Sequence, residues 1–316
     1  MFTRFRFSQS AVHPPECRQR SSSMPPTSGA ERTAKRKEVD EEAPTDATLN
    51  LAKKSKHATR VLPRKWQERY RSICDDCFGL VQECTHFPEV PLRLLIVGHN
   101  PSDHAWQSGF SYSNPTNRLW KLLAGEYYKT VWKGVLPKDW TMSDQNKMPH
   151  ALGIGFSDLG IEPGNDASKY DRKTMTKWKH DFYARMRQHL RRVAATLHEN
   201  DASASMAMKC SNAYQHGPLL VAFSGKRQFT YLFDPPAKHS IPNGKQEHAS
   251  LPPDWPLPPS CEVWVLPSTS GRAAMTEAQR CQPYMDLAAR FHELAPSASV
   301  QAPNFTCDAN SANSVP

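Results

Sequence analysis

Large aliphatic residues are scarce before residue 60 and after residue 296, and between those limits they gather in short runs. Two runs stand out, Leu94 to Val97 (L-L-I-V) and Val263 to Leu266 (V-W-V-L). Successive rather than alternate positions are apolar, as in a strand buried on both faces of a parallel sheet. Each run stops in a small, polar, turn-forming loop: Gly98-His99-Asn100-Pro101-Ser102 after the first, Ser268-Thr269-Ser270-Gly271-Arg272 after the second. Ligands of open α/β sheets sit beyond the carboxyl ends of the strands, so two such ends can face each other across one site.

The remaining pattern alternates strand and helix. The first core strand is placed at Leu92 to Val97, and a helix at Thr116 to Leu123 with Thr116 as N-cap. Residues 126–152 show no clear period, and Ile154 to Phe156 is a short buried strand end. Trp178, Phe182, Met186, Leu190, Val193 and Leu197 recur every three to four positions, which predicts a long helix over Lys173 to Glu199. Residues 200–216 are small or polar and are expected to loop. Leu219 to Phe223 is the next strand, and Gln228 to Phe233 turns into a helix. Asp234 to Ser260 carries eight prolines and is expected to be irregular. A last strand at Val263 to Leu266 and a closing helix at Met275 to Glu293 complete a three-layer α/β/α arrangement around a short, mainly parallel sheet.

Composition divides the 316 residues into regions. Residues 1–60, rich in Ser, Pro, Arg and Glu, are expected to form a disordered tail, with a basic, Cys-containing linker at 61–87. The catalytic domain is expected at 88–295, followed by a disordered tail at 296–316. The formal charge is +9. Its densest stretch runs from Lys53 to Arg71 and includes Lys54, Lys56, Arg60, Arg64, Lys65 and Arg69 against one acid, Glu68. Such a run favours polyanions through counterion release, and equally suits a solvated arm. Together with Lys35-Arg36-Lys37 it makes the nucleus the expected location. The Arg/Ser-rich opening, whose first acid is Glu16, leaves a mitochondrial or plastid address as the alternative. No run of 18 apolar residues spans a bilayer.

Eight cysteines without a secretory signal are expected to be reduced. Cys74-x-x-Cys77 with Cys84 and His86 has spacing that could close a zinc knuckle. One residue between Cys84 and His86 makes its second half cramped, and ordinary thiols are the preferred reading: no metal site is expected.

The strand-tip loops suggest particular chemistry. Asn100 has no useful pKa and cannot act as a general base, but it can hold and orient a water, which suits a leaving group that departs largely on its own. The second loop offers hydroxyls, backbone N–H groups and one long cation, which suits phosphate contacts and a side-chain probe.

Several blocks together resemble the mismatch-specific uracil/thymine-DNA glycosylases, a branch of the uracil-DNA glycosylase superfamily. They are Gly98-His99-Asn100-Pro101-Ser102, set against that family's G-I-N-P-G; Gly109 to Leu123 (G-F-S-Y-S-N-P-T-N-R-L-W-K-L-L); Gly153 to Asp158 (G-I-G-F-S-D), against G-I-G-F-T-N; Val221 to Arg227 (V-A-F-S-G-K-R); and the last loop, which resembles the animal type P-S-S-S-A-R. The likeness extends over roughly Pro91 to Glu293.

The resemblance implies a catalytic role for Asn100 as water holder and a base pocket of Gly98, His99, Tyr112, Asn117 and Asp158. Tyr112 would stack on the flipped base and Asn117 would buttress the pocket. His99 replaces the family's Ile and is expected to contribute only backbone. Ser224, Gly225 and Lys226 would hold a phosphate, as would Ser268, Ser270, Gly271 and Ala273 beside the intercalating finger Arg272. Asp158 stands where animal-type members have an Asn that reads the pyrimidine edge. An ionised Asp158 would oppose charge on the departing base, so it is either protonated, turned away, or matched to another substrate.

The implied function is a monofunctional, monomeric, cofactor-free glycosylase. It would act on uracil, by extension thymine or modified pyrimidines, in G·U and G·T mispairs of duplex DNA, with downstream abasic-site repair enzymes as partners. No lysine occupies the strand tip where an imine-forming amine would act, so strand cleavage is not expected. The alternative is a catalytically weak mismatch-binding or recruitment protein on the same fold. A hydrolase of single-stranded uracil DNA ranks below both, because a wedge is useful mainly in duplex.

Overall fold

The computed structural model describes residues 63–199 and 217–294. The tails expected at 1–60 and 296–316 and the loop expected at 200–216 lie outside the described residues; the linker expected at 61–87 is described from residue 63 onward. Four parallel strands form the sheet: β1 (Leu94–Gly98), β4 (Ile154–Asp158), β5 (Leu220–Phe223) and β7 (Glu262–Val265). A fifth, β6 (Gly244–Gln246), runs antiparallel to β7, giving the order β4-β1-β5-β7-β6. A separate hairpin pairs β2 (Glu126–Tyr127) with β3 (Thr130–Val131).

Strand residues alternate between two cores. Leu94, Ile96, Phe156, Leu220 and Ala222 pack with α3 (Leu119–Ala124) and α7 (Glu277–Glu293). Leu95, Val97, Val221, Phe223 and Val263 pack with the long helix α5 (Arg172–Glu199) and with α6 (Lys226–Thr230). Burial on both faces explains the unbroken apolar runs of these strands. The three-layer α/β/α fold is as the pattern predicted.

The differences are local. The helix after the Gly109 block starts at Leu119, not Thr116, because Asn117 Oδ1 accepts the Leu119 N–H at 2.9 Å, while Thr116 Oγ1 donates to Asn114 Oδ1. Residues 126–152 hold the hairpin, a 3-10 turn at Met142–Lys147 begun by a Thr141/Asp144 capping box, and α4 (Met148–Leu152). β4 extends through Asp158. The proline-rich insertion contributes the edge strand β6, which its flanking turns keep to three residues.

The segment expected to be a linker is packed into the domain from residue 63 onward. Trp66 is 1% exposed and stacks on Trp106 with ring centroids 6.4 Å apart. Arg69 exchanges backbone hydrogen bonds with Phe156 at 2.8 and 3.0 Å, which covers the open edge of β4. Its buried guanidinium donates to Gly109 O at 3.0 Å, Gln67 O at 2.7 Å and Asn146 Oδ1 at 3.1 Å. Burial lowers its pKa to about 10, so it stays charged at neutral pH. Sequence reading took its charge as a sign of exposure, whereas three carbonyl partners make burial tolerable. Further along, the chain forms α1 (Asp75–Leu80).

Trp66→Ala is expected to destabilise the protein by roughly 3–5 kcal/mol, measured by urea unfolding. A change near zero would mean that this segment is only a tether.

Candidate active site

The carboxyl ends of β1, β4, β5 and β7 open into one cleft of about 560 Å³. His99, Asn100, Tyr112, Asn117 and Asp158 line it together with Ser224, Gly225, Lys226, Ser268, Ser270 and Arg272. Gly98, Gly271 and Ala273 do not line it. Gly98 lies beneath the floor, and Gly271 packs against the chain at Thr116, where an added Cβ would lie 2.9 Å from the Thr116 carbonyl oxygen.

Asn100 follows the tip of β1 and is held on both sides of its amide. Its Nδ2 faces the carbonyl oxygens of Glu162 (3.0 Å), Gly164 (3.1 Å) and Pro101 (3.3 Å) and the Tyr170 hydroxyl (3.1 Å). An NH₂ group has two hydrogens, so this side is saturated. The carbonyl acceptors also fix which end of the amide is nitrogen. Oδ1 sits 2.7 Å from His99 Nδ1, which must be the donor. One Oδ1 lone pair is left for a molecule in the cleft.

Burial holds the His99 imidazole below its usual pKa; the Asn100 contact opposes this and the charge of Arg227 adds to it. The ring is neutral near pH 7, with its proton on Nδ1. His99 was expected to contribute only backbone. Its carbonyl does accept the Gly160 N–H at 2.9 Å, but the ring also orients Asn100, wedged near Tyr170 and Trp178.

The pocket floor is built by close approach. Gly98 pairs with Asp158 across the β1–β4 register. A Cβ on residue 98 would stand 1.9 Å from Asp158 Oδ1 and 2.7 Å from the Tyr112 hydroxyl, so only glycine lets these groups converge. Tyr112 adopts a left-handed backbone, φ 55°, in the turn that follows α2 (Asp103–Ser108). Its ring is half-buried, and its hydroxyl donates to Ser224 Oγ (2.8 Å), which donates in turn to Val97 O (3.3 Å). The Ser224 N–H is also bonded to Val97 O, at 2.9 Å. Ser224 is thus a part of the pocket, with no donor left for a phosphate.

The Asp158 carboxyl is 5% exposed and takes no hydrogen bond from the described residues. Burial raises its pKa to about 8, the charge of Glu68 adds to this, and Arg185 opposes it. At pH 7 it is mostly protonated. Below it, Glu68 accepts hydrogen bonds from Ser157, Tyr70 (2.8 Å) and Arg185 Nε (2.9 Å). Arg185 also donates to the Asp158 carbonyl at 2.6 Å.

Across the cleft, the loop after β7 is braced from below. Arg280, 4% exposed, donates to Ser268 O at 2.7 Å and Ala273 O at 2.8 Å, and the Arg118 N–H reaches Thr269 O at 2.9 Å. Ser268 and Ser270 Oγ accept from the N–H groups of Ser270 and Arg272 (both 3.3 Å). Arg272 itself is exposed and free of ion pairs among the described residues, and Lys226 is exposed on the rim. Sequence reading missed Tyr170, Glu68, Arg185 and Arg280. Their only signal was a polar residue on an otherwise apolar helix face or in a basic run, which is weak without partners.

A profile of the Uracil DNA glycosylase superfamily matches residues 85–291, most of the chain. The chain belongs to that superfamily. Comparison with curated proteins returned no match. Superfamily members are DNA glycosylases acting on uracil-like bases, which agrees with the class of chemistry expected from the strand-tip loops. Within the superfamily match lie both strand-tip loops and the whole cleft.

Asp158 also leaves a thermodynamic signature. A carboxyl raised in the folded state contributes stability that is fully present below its unfolded pKa of about 4 and lost as pH rises through about 8. Asp158→Asn is expected to remove this decline and to raise the melting temperature at pH 8 more than at pH 4. Equal shifts at both pH values would show that residue 158 ionises normally.

Proposed function

We propose that this protein is a monofunctional DNA glycosylase that excises uracil, and by extension thymine or modified pyrimidines, from G·U and G·T mispairs in duplex DNA. The carrying observation is that Asn100 and the Ser268–Arg272 loop border one cleft with an unpartnered, protonated carboxyl at its floor.

A base inside a duplex is out of reach, so the nucleotide is rotated into the pocket. The Tyr112 ring stacks on the base. Protonated Asp158 presents an O–H to a pyrimidine oxygen and a C=O to N3–H, the same donor–acceptor pair that an amide would offer. Of the alternatives that the Asp raised in sequence, burial supports the protonated form. The remaining Oδ1 lone pair of Asn100 accepts a hydrogen from one water and turns that water's oxygen toward C1′ of the sugar. As the C1′–N1 bond breaks, its electron pair leaves with the base. The water oxygen bonds to C1′ and loses its proton to solvent, and the departing base takes up a proton. The Asp158 hydrogen bond stabilises negative charge building on the pyrimidine oxygen. Arg272 fills the gap in the duplex, and Lys226 meets phosphate at the rim. The lysine that lines the cleft, Lys226, follows β5 and not β1, whose tip carries Asn100, which supports hydrolysis without an imine. The abasic product passes to downstream repair enzymes.

Labelled duplexes containing G·U, G·T or A·U, and single-stranded uracil DNA, are incubated with protein and then treated with alkali. Base release is expected from G·U first, with strand breaks appearing only after alkali, and Asn100→Ala is expected to lower the rate by about 10²-fold or more. An Asn100→Ala variant as active as wild type would overturn the site. Tight G·U binding without release would establish the binding-protein reading instead.

The pH profile gives a second check. Single-turnover base release is expected to fall above pH about 8 as Asp158 ionises, because a carboxylate at that position repels the departing anion. Asp158→Asn is expected to flatten that limb; an unchanged limb would assign it to another group.

A further inference from the structure

We propose that Cys74, Cys77, Cys84 and His86 hold a single structural zinc ion, and that the resulting knuckle braces the turn carrying Tyr112. This departs from the expectation of ordinary thiols. It does not depend on the glycosylase reading, since the metal is inferred from ligand geometry alone.

The four ligand atoms, three Sγ and one imidazole nitrogen, all lie within 4.8 Å of one another. Three sulfurs converge on one nitrogen: His86 Nδ1 is 3.3 Å from Cys74, 3.6 Å from Cys77 and 3.7 Å from Cys84. A ring nitrogen has one hydrogen or one lone pair, so it cannot make three hydrogen bonds. Convergence of this kind is the arrangement of ligands around a common centre. Zn–S of about 2.3 Å and Zn–N of about 2.0 Å in a tetrahedron give S···S edges of roughly 3.8 Å and S···N edges of roughly 3.5 Å. The Cys84–Cys74 separation of 4.0 Å fits such an edge and is about twice a disulfide length. Three sulfurs and one imidazole in a tetrahedron suit zinc. An iron–sulfur cluster would need room between the ligands for several irons and sulfides, which this spacing does not give.

The cramped C-x-H spacing is no obstacle, because both side chains already reach the same centre. Cys74 precedes α1, Cys77 lies within it, and a left-handed Val81 (φ 57°) turns the chain back toward Cys84. Cys77 and Cys84 are 2% and 1% exposed, but with Ile73 they form a core of only three buried residues. So small an apolar cluster is a weak anchor, and metal ligation is the usual supplement.

What the knuckle holds is the pocket wall. Phe78 on α1 packs on Phe110 with centroids 5.2 Å apart, and an added Cβ on Gly109 would lie 2.8 Å from its ring. Arg69 spans the junction, stacked on Phe78 at 5.6 Å and bonded to Gly109 O. Gly109 and Phe110 lead into Ser111 and Tyr112. Loss of the ion would loosen the packing behind the strained Tyr112 turn.

The full chain is purified from zinc-supplemented cells and its metal measured by plasma mass spectrometry. About one zinc per chain is expected in wild type. Cobalt substitution should give the intense visible bands of a tetrahedral thiolate site. The Cys74→Ser/Cys77→Ser double variant is expected to keep less than about one tenth of the metal and to melt several degrees lower. His86→Cys, which retains four ligands, and Cys261→Ser, away from the knuckle, should both keep the ion. Wild type without zinc and without a cobalt spectrum would overturn the proposal even if every variant misfolds. So would an iron–sulfur chromophore, or full zinc retention in the double variant.

Discussion

The absence of a side chain at Gly98 sets the geometry of the site. Parallel pairing of β1 with β4 places residue 98 directly opposite Asp158, and the Tyr112 hydroxyl arrives from the following loop at the same point. A single methyl group would overlap both. Because it is absent, a carboxyl, a phenol and the Asn100 amide meet at the end of one strand. The burial that results makes the carboxyl prefer its proton, so steric fit and electrostatics have one origin.

Around that point the polar groups are nearly all committed to the protein. Asn100 is held by the 162–164 carbonyls, Tyr170 and His99; Tyr112 by Ser224; the loop carrying Arg272 by Arg280. Among the described residues, the groups left uncommitted include one lone pair on Asn100, His99 Nε2, the Asp158 carboxyl and the two exposed cations Lys226 and Arg272. A rigid surround with few free groups suits a reaction in which the enzyme positions a water and stabilises a departing anion, rather than exchanging protons itself. Glu68 close beneath a carboxyl is unfavourable in isolation, and Arg185, bonded to both Glu68 and the Asp158 backbone, offsets it. Strain of this kind is commonly kept at functional sites because the surrounding fold supplies the compensation.

Superfamily membership accounts for the shared fold and the class of chemistry, and two residues, His99 and Asp158, stand out against the pattern of the mismatch-specific branch that the sequence resembles. His99 supplies a hydrogen bond to Asn100 where an aliphatic residue would supply only bulk. Asp158 supplies, when protonated, the pattern of an amide. Both work by staying neutral, and in both cases burial is the main cause.

The apolar runs by themselves determined the four parallel strands, the three layers and the two loops that border the cleft, because a buried parallel strand must be continuous in apolar residues and must end where polar groups can reach solvent. Asn100 and Arg272 drew attention for the same reason, since each stands in a loop at such an end; Tyr112, in the turn after α2, was singled out through the family resemblance. Tertiary structure alone decided the rest. Whether Asp158 is charged depends on its burial and on Glu68, ninety positions away in the chain. Ser224 turned inward because Tyr112 offered a partner, and a basic segment became a structural arm because carbonyls of distant loops could satisfy Arg69. Local pattern reports which residues avoid water; it does not report which polar groups will find each other once water is removed.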